Sequence, residues 1–259
     1  MSQLPDHNKP FAMKFPNGQT AHAVRVVADA NAAIVYHLLG FKEASPAIFV
    51  SGGASKMSQK DKKRTKEIIE GIALFAEERQ AVIIDGGTES GIMKLIGDTR
   101  GKVGYQFPLI GVSPLGKVSY PGYQNPHEEA FLEDRHSHFV LVDGDQWGVE
   151  SKLIVSLAHA IAGNGQKPAV GILINGGQIA MQEVYLATTR RQKIPMIVLE
   201  GSGRAADEIS TAFRAGQANH SLLQAILSGG DIVLVGTAEG PAAMRLNLMR
   251  KFERHQSKE

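Results

Sequence analysis

The sequence predicts an α/β protein, Rossmann-like, with a mostly parallel sheet and helices on both faces. Three observations carry this expectation. Seven short runs are continuously apolar, as strands covered on both faces read. Between most of them lie longer segments whose apolar residues recur at helical spacing. Four of the runs close on a glycine pair that leads straight into a helix, which is the order of right-handed βαβ units.

Taken in order, residues 1–20 read as a flexible tail, because the first ten are polar and punctuated by proline. Residues 21–259 read as one domain. A strand over 21–27 alternates in polarity, and a short amphipathic helix over 30–39 ends near Gly40. The apolar strands fall at 47–51, 81–85, 109–113, 139–143, 170–175, 196–199 and 231–235. Helices are expected over 59–78, 90–97, 149–162, 179–192, 204–215 and 241–254. The connection 114–135, with Gly116, Pro121, Gly122, Asn125 and Pro126, has the length of a functional lid or of a disordered loop.

Composition excludes several functions. The net charge of +2 makes neither nucleic acid nor an anionic membrane a default partner. The absence of cysteine removes disulfides, thiolate metal sites and cysteine nucleophiles. Neither a signal-peptide core nor a run of about 20 apolar residues is present, so a cytoplasmic location is expected. A homo-oligomer stays open.

The stretch 198–207, VLEGSGRAAD, has the chemistry of an anion site. Gly201 and Gly203 can take up left-handed backbone and let N–H groups approach a ligand. The following helix would aim its unsatisfied first-turn N–H groups at the same point, with Ser202 in the turn and the fork of Arg204 suited to phosphate. One such loop is weak evidence. The same order recurs at Gly52 and Gly53, at Gly86, Gly87 and Thr88, and at Gly176 and Gly177. In an open parallel sheet these turns converge on one crevice.

Two carboxylates, Glu183 and Glu150, have a structural role and a chemical one to choose between. For Glu183 the competing role is a solvated helical carboxylate, and for Glu150 it is complementing a helix dipole. His136 and His138 lack a third ligand at matching spacing, so hydrogen-bonded structure is expected rather than a metal. Trp147 suits stacking on a base and suits plain packing equally. Lys60, Lys62, Lys63, Arg64 and Lys66 read as a solvated helix face over Ile68, Ile69, Ile72 and Phe75. Arg190 and Arg191 read as the basic end of a helix. No GxGxxG fingerprint follows the first strand, which weighs against a dinucleotide oxidoreductase.

Several motifs together carry a family resemblance. LEDRHSHFVLVDG at 132–144, GVE at 148–150 and EGSGRAAD at 200–207 resemble the cytosolic N-terminal homology region of melastatin-type TRP channels. The stand-alone prokaryotic version is the LSDAT domain of the SLOG superfamily. VSGGA at 50–54, DGGTESG at 85–91 and IGVSP at 110–114 fit the same order. The resemblance implies a nucleotide-derived ligand, ADP-ribose in some members, with Arg204 on the phosphates; the expected ligand here is ADP-ribose, NAD or AMP, with no cofactor required. It also reaches the Lonely Guy phosphoribohydrolases, whose GGxGTxxE motif corresponds to GGQIAMQE at 176–183. Gly176, Gly177 and Glu183 match, so the resemblance implies Glu183 as the candidate catalyst, with Glu150 as a second, while Ile179 and Ala180 replace a glycine and a threonine. Binding is therefore expected ahead of nucleotide N-glycosidase activity, and a non-catalytic assembly module is the third reading.

Overall fold

The computed structural model describes residues 4–54, 57–190 and 193–256. The chain opens with β1 (Phe11–Lys14), β2 (Thr20–Val26) and α1 (Ala32–Leu38). Then come β3 (Ala47–Gly52), α2 (Gln59–Arg79), β4 (Val82–Asp85), α3 (Gly91–Val103) and β5 (Leu109–Pro114). A long connection holds β6 (Val118–Ser119) and β7 (Ala130–Phe131) and leads to β8 (His138–Val142). The second half begins with α4 (Ser151–Ile161), β9 (Ala169–Ile174), α5 (Gln178–Thr189) and β10 (Met196–Glu200). It ends with α6 (Arg204–Ala215), α7 (Ser221–Gly229), β11 (Ile232–Gly236) and α8 (Gly240–Gln256).

The nine-stranded sheet runs in the order β1-β2-β8-β5-β4-β3-β9-β10-β11. Only β1 is antiparallel to its neighbour. Alternate side chains supply two cores, as the two-residue period of a strand requires. Phe49, Val140 and Val142 face the side covered by α1, α4, α5, α6 and α7. Ile48, Val50 and Ile83 face α2, α3 and α8, where Ile68, Ile69, Ile72 and Phe75 of α2 are buried. The α/β, Rossmann-like expectation is met. Among the described residues no helix is long and apolar enough to cross a membrane.

Four stretches differ from the sequence reading. Residues 11–14, assigned to a tail, form an edge strand because Met13 and the neighbouring Phe15 bury against Ala21, Ala23 and Phe139. Residues 1–3 of that tail lie outside the described residues, as do residues 191 and 192 at the end of the expected helix 179–192. Helix α3 continues six residues past Gly97. Its Gly97 and Gly101 leave room for the side chains of Glu133 and Arg135, with which any Cβ would collide. Helix α7 has no counterpart among the helices expected from the sequence; the His220 ring caps it by accepting the Leu223 N–H at 3.2 Å. The connection 114–135 is neither open nor structureless. Leu115, Val118, Tyr120 and Leu132 pack in one buried cluster with Met13 of β1, Ala21 and Ala23 of β2, and Phe139 and Leu141 of β8.

Candidate functional site

The chain reverses its direction of winding between β3 and β9, with β4 and β5 on one side and β10 and β11 on the other. A crevice outside the carboxyl ends of the strands is expected at such a switch point. A cavity of ≈ 460 Å³ lies there. Ser51 and Gly52 at the end of β3, Gly86 and Thr88 after β4, and Gly177 and Gln178 after β9 line it. Arg204 at the start of α6 and the two carboxylates Glu150 and Glu183 complete its polar wall, with Met93, Trp147, Ile154 and Ile179 apolar.

Not every predicted ligand residue reaches this cavity. Gly87 instead packs on Gly111, where an added Cβ would sit 2.6 Å from the neighbouring Cα. Gly176 abuts Ala180, Gly201 abuts Thr237, and Gly203 abuts Asn175 in the same way. A Cβ on Gly53 would meet nothing within 4 Å. Ser202 is buried and locks two turns together: its Oγ accepts the Asn175 N–H at 2.7 Å and donates to the Leu199 carbonyl at 2.6 Å. These residues shape the turns rather than line the wall.

That lock presents Arg204. Gly203 has φ of 102° and Arg204 itself φ of 50°, a left-handed conformation that costs a residue with a side chain. The arginine is exposed and its guanidinium rests over Gly177, so that a Cβ at position 177 would lie 2.6 Å from Nη2. No hydrogen bond or ion pair engages the Arg204 side chain among the described residues. The N-terminus of α5 opens beside it, with Gln178, Ile179 and Ala180 on the cavity wall.

At the floor, Glu183 is buried rather than solvated, which corrects the simplest reading of a helical glutamate. It accepts from the hydroxyls of Ser51 and of Ser151, the latter at 2.9 Å. Burial pushes its pKa up to about 7, against the pull of the two serines and with a further push from the charge of Glu150. The pKa of Glu150 is also raised, first by burial, although its carboxylate accepts the Gly148 N–H at 2.8 Å. The sequence reading missed Ser51 and Ser151. A polar residue ending the apolar run of β3 was the available signal for the first.

Behind the β4 turn lies a second group. His136 bridges Asp85 through Nε2 at 2.9 Å and Glu133 through Nδ1 at 2.7 Å, all three buried. Burial alone would lower the His136 pKa, but the charges and hydrogen bonds of Asp85 and Glu133 override it and hold it up to about 9. Asp85 also accepts the Gly87 N–H at 2.7 Å, which fixes the turn that carries Gly86 and Thr88. His138 takes no part and stacks on His22 with ring centroids 5.6 Å apart. Among the described residues no group of three or more such side chains is arranged to hold a metal ion. Trp147 donates its indole N–H to Glu129 at 2.6 Å, tethering the cavity rim to the long connection. Arg190 donates to Ser156 at 2.6 Å, while Arg191 lies outside the described residues.

The chain is 28% identical to a rat transient receptor potential cation channel, subfamily M member 2, over 79% of its length. It is 29% identical to the Drosophila melanogaster channel trpm over 79%, and 29% to a member-like 2 channel of Nematostella vectensis over 75%. It spans only between 11% and 16% of the length of these three relatives. The family model described as SLOG in TRPM, prokaryote, matches residues 45–246, so the chain whose switch-point cavity is described above belongs to that LSDAT family.

Proposed function

We propose that the cavity binds a small nucleotide-derived ligand, with ADP-ribose, NAD and AMP as the compounds to test. The observation that carries this reading is the polarity of the site. An unengaged guanidinium stands at one end over Gly177, and two buried carboxylates stand at the other. Phosphate belongs beside Arg204 and the open end of α5, where N–H groups and positive charge converge. Ribose hydroxyls belong at Glu150 and Glu183, which can only accept hydrogen bonds when ionised. The face of Trp147, its N–H already spent on Glu129, is left for a base. The volume of ≈ 460 Å³ is within the usual range of small-molecule sites, about 300–1,000 Å³.

Calorimetric titration with the three nucleotides tests this. Arg204→Ala is expected to weaken binding by about 1.5–3 kcal/mol, the worth of a charged hydrogen bond. The fold should be unaffected, because the side chain is exposed. Equal affinity in the variant would remove Arg204 from the site, and no binding by any of the three would remove the reading.

One observation favours a second reading, an N-glycosidase acting on a nucleotide. Glu183, raised to about 7, sits where it could stabilise positive charge developing on a ribose. Ile179 and Ala180 weigh against it. They put apolar groups on the wall where a glycine and a threonine would serve a phosphate.

A further inference from the structure

The opposite end of the sheet carries a cavity of the other charge. It lies at the N-terminal ends of β9, β10 and β11, measures ≈ 470 Å³, and is bounded by the connection before β9 and the last turns of α8. Lys167, Lys193, Lys251 and Arg254 stand on its wall against one carboxylate, Asp231. Lys251 is buried, its side chain 3% exposed, and it meets Asp231 at 2.5 Å while that carboxylate remains 54% exposed. An ammonium has three donors. Among the described residues only one of them is taken, and the side chains of Lys167, Lys193 and Arg254 have no hydrogen bond or ion pair at all.

Cations do collect at this end of α/β sheets, because helix C-termini point there and carry partial negative charge. At α4 that demand is already met by backbone. The Asn164 N–H donates to His159 at 2.9 Å, the Gly163 N–H to Ala160 at 3.0 Å, and the Lys167 N–H to Ala162 at 2.9 Å. The side chain of Lys167 is thus surplus to capping the helix. Burying an ammonium is also costly unless its partners are good, and a half-solvated aspartate is a partial one.

We propose that this cavity is a second anion site, for a small polyphosphate group, separate from the cleft at the carboxyl ends of the strands. Four cations against one carboxylate match a ligand with several negative charges better than a single monoanion. Lys251 supplies the fixed inner donor. Lys167, Lys193 and Arg254 close over the outer oxygens. The group is either free pyrophosphate or the triphosphate of a nucleotide, which share this chemistry.

The experiment is calorimetric titration of the full chain with sodium pyrophosphate at low ionic strength, repeated with adenosine triphosphate. Saturable binding is expected, about tenfold weaker for Lys193→Ala or Arg254→Ala. It should be lost in the triple variant of Lys167→Ala, Lys193→Ala and Arg254→Ala, whose exposed positions leave the core intact. Binding should persist in Arg204→Ala, which tests the other cleft. Tighter binding of the nucleotide through the same three cations identifies the triphosphate as the source. Tighter binding of pyrophosphate identifies the free anion. Absence of binding, binding unchanged in the triple variant, or binding lost in Arg204→Ala overturns the proposal.

Discussion

Two pairs of buried carboxylates lie close to the same cavity, and the protein treats them differently. Asp85 and Glu133 share an imidazole between them and are shut away behind the β4 turn. Among the described residues Glu150 and Glu183 have no paired cation; hydroxyls hold Glu183, backbone N–H groups hold Glu150, and both face the cavity. A buried carboxylate with a compensating cation is a fixed part of the frame. One without a cation keeps an affinity for a proton or for the hydroxyl of a ligand. The difference separates the scaffold of the site from its working surface.

The largest effect should come from removing the compensation. His136→Ala leaves two buried charges unpaired, and a loss of about 3–5 kcal/mol is expected in urea unfolding at neutral pH. A loss below about 1 kcal/mol would show that the imidazole is not what balances the pair. The pH dependence has a definite sign. The folded His136 pKa lies at about 9, above the ordinary 6.5, so its contribution is complete below pH 6.5 and disappears as pH rises through 9.

The uncompensated pair should give a smaller effect at lower pH. Glu183 has its folded pKa raised from 4.5 to about 7, so its protonated form favours the fold below pH 4.5. That advantage, about 3 kcal/mol, is lost as pH rises through 7. Glu183→Gln should flatten this part of the stability curve and leave the variant more stable than the parent at pH 8. If the glycosidase reading is right, the same variant binds nucleotide and releases no base. A curve unchanged by the substitution would mean that Glu183 does not carry the titration.

The smallest effect should follow from Ser151→Ala, which removes one of the two hydroxyls holding Glu183. A cost of about 1 kcal/mol at pH 8 is expected, where the carboxylate is charged. The midpoint of the same pH–stability curve should move upward, since the hydroxyl favours the ionised form. A downward movement would reverse the assigned role of the serine.

Much of this was legible in the sequence because it depends on local chemistry. Continuous apolar runs and glycine-ended strands mark β3, β4, β9 and β10, and with them Gly52, Gly86, Thr88, Gly177 and Arg204 on one wall. What stayed hidden depends on what lies opposite. Whether a glycine lines a cavity or admits a neighbour cannot be read from its own turn. Gly87 belongs to Gly111, and Gly97 and Gly101, which look like helix breakers, are seats for Glu133 and Arg135. Glu183 reads as solvated until Ser51 and Ser151 arrive from two distant elements. The strand at Phe11–Lys14 left only a faint sign, since Met13 is buried between exposed Ala12 and Lys14 and four residues are too few to set against a polar tail.

The order of the strands also bears on how the chain is assembled during synthesis. β3, β4 and β5 pair with near neighbours in sequence, so their loops are cheap to close and the middle of the sheet can form early. β2 has to wait for β8, and the far side of β3 for β9. Gly177, Glu183 and Arg204 all come after β9 in the chain. A ribosome-bound chain that has folded its central strands therefore has Ser51, Gly52, Gly86 and Thr88 of the cleft in place and still lacks Gly177, Glu183 and Arg204.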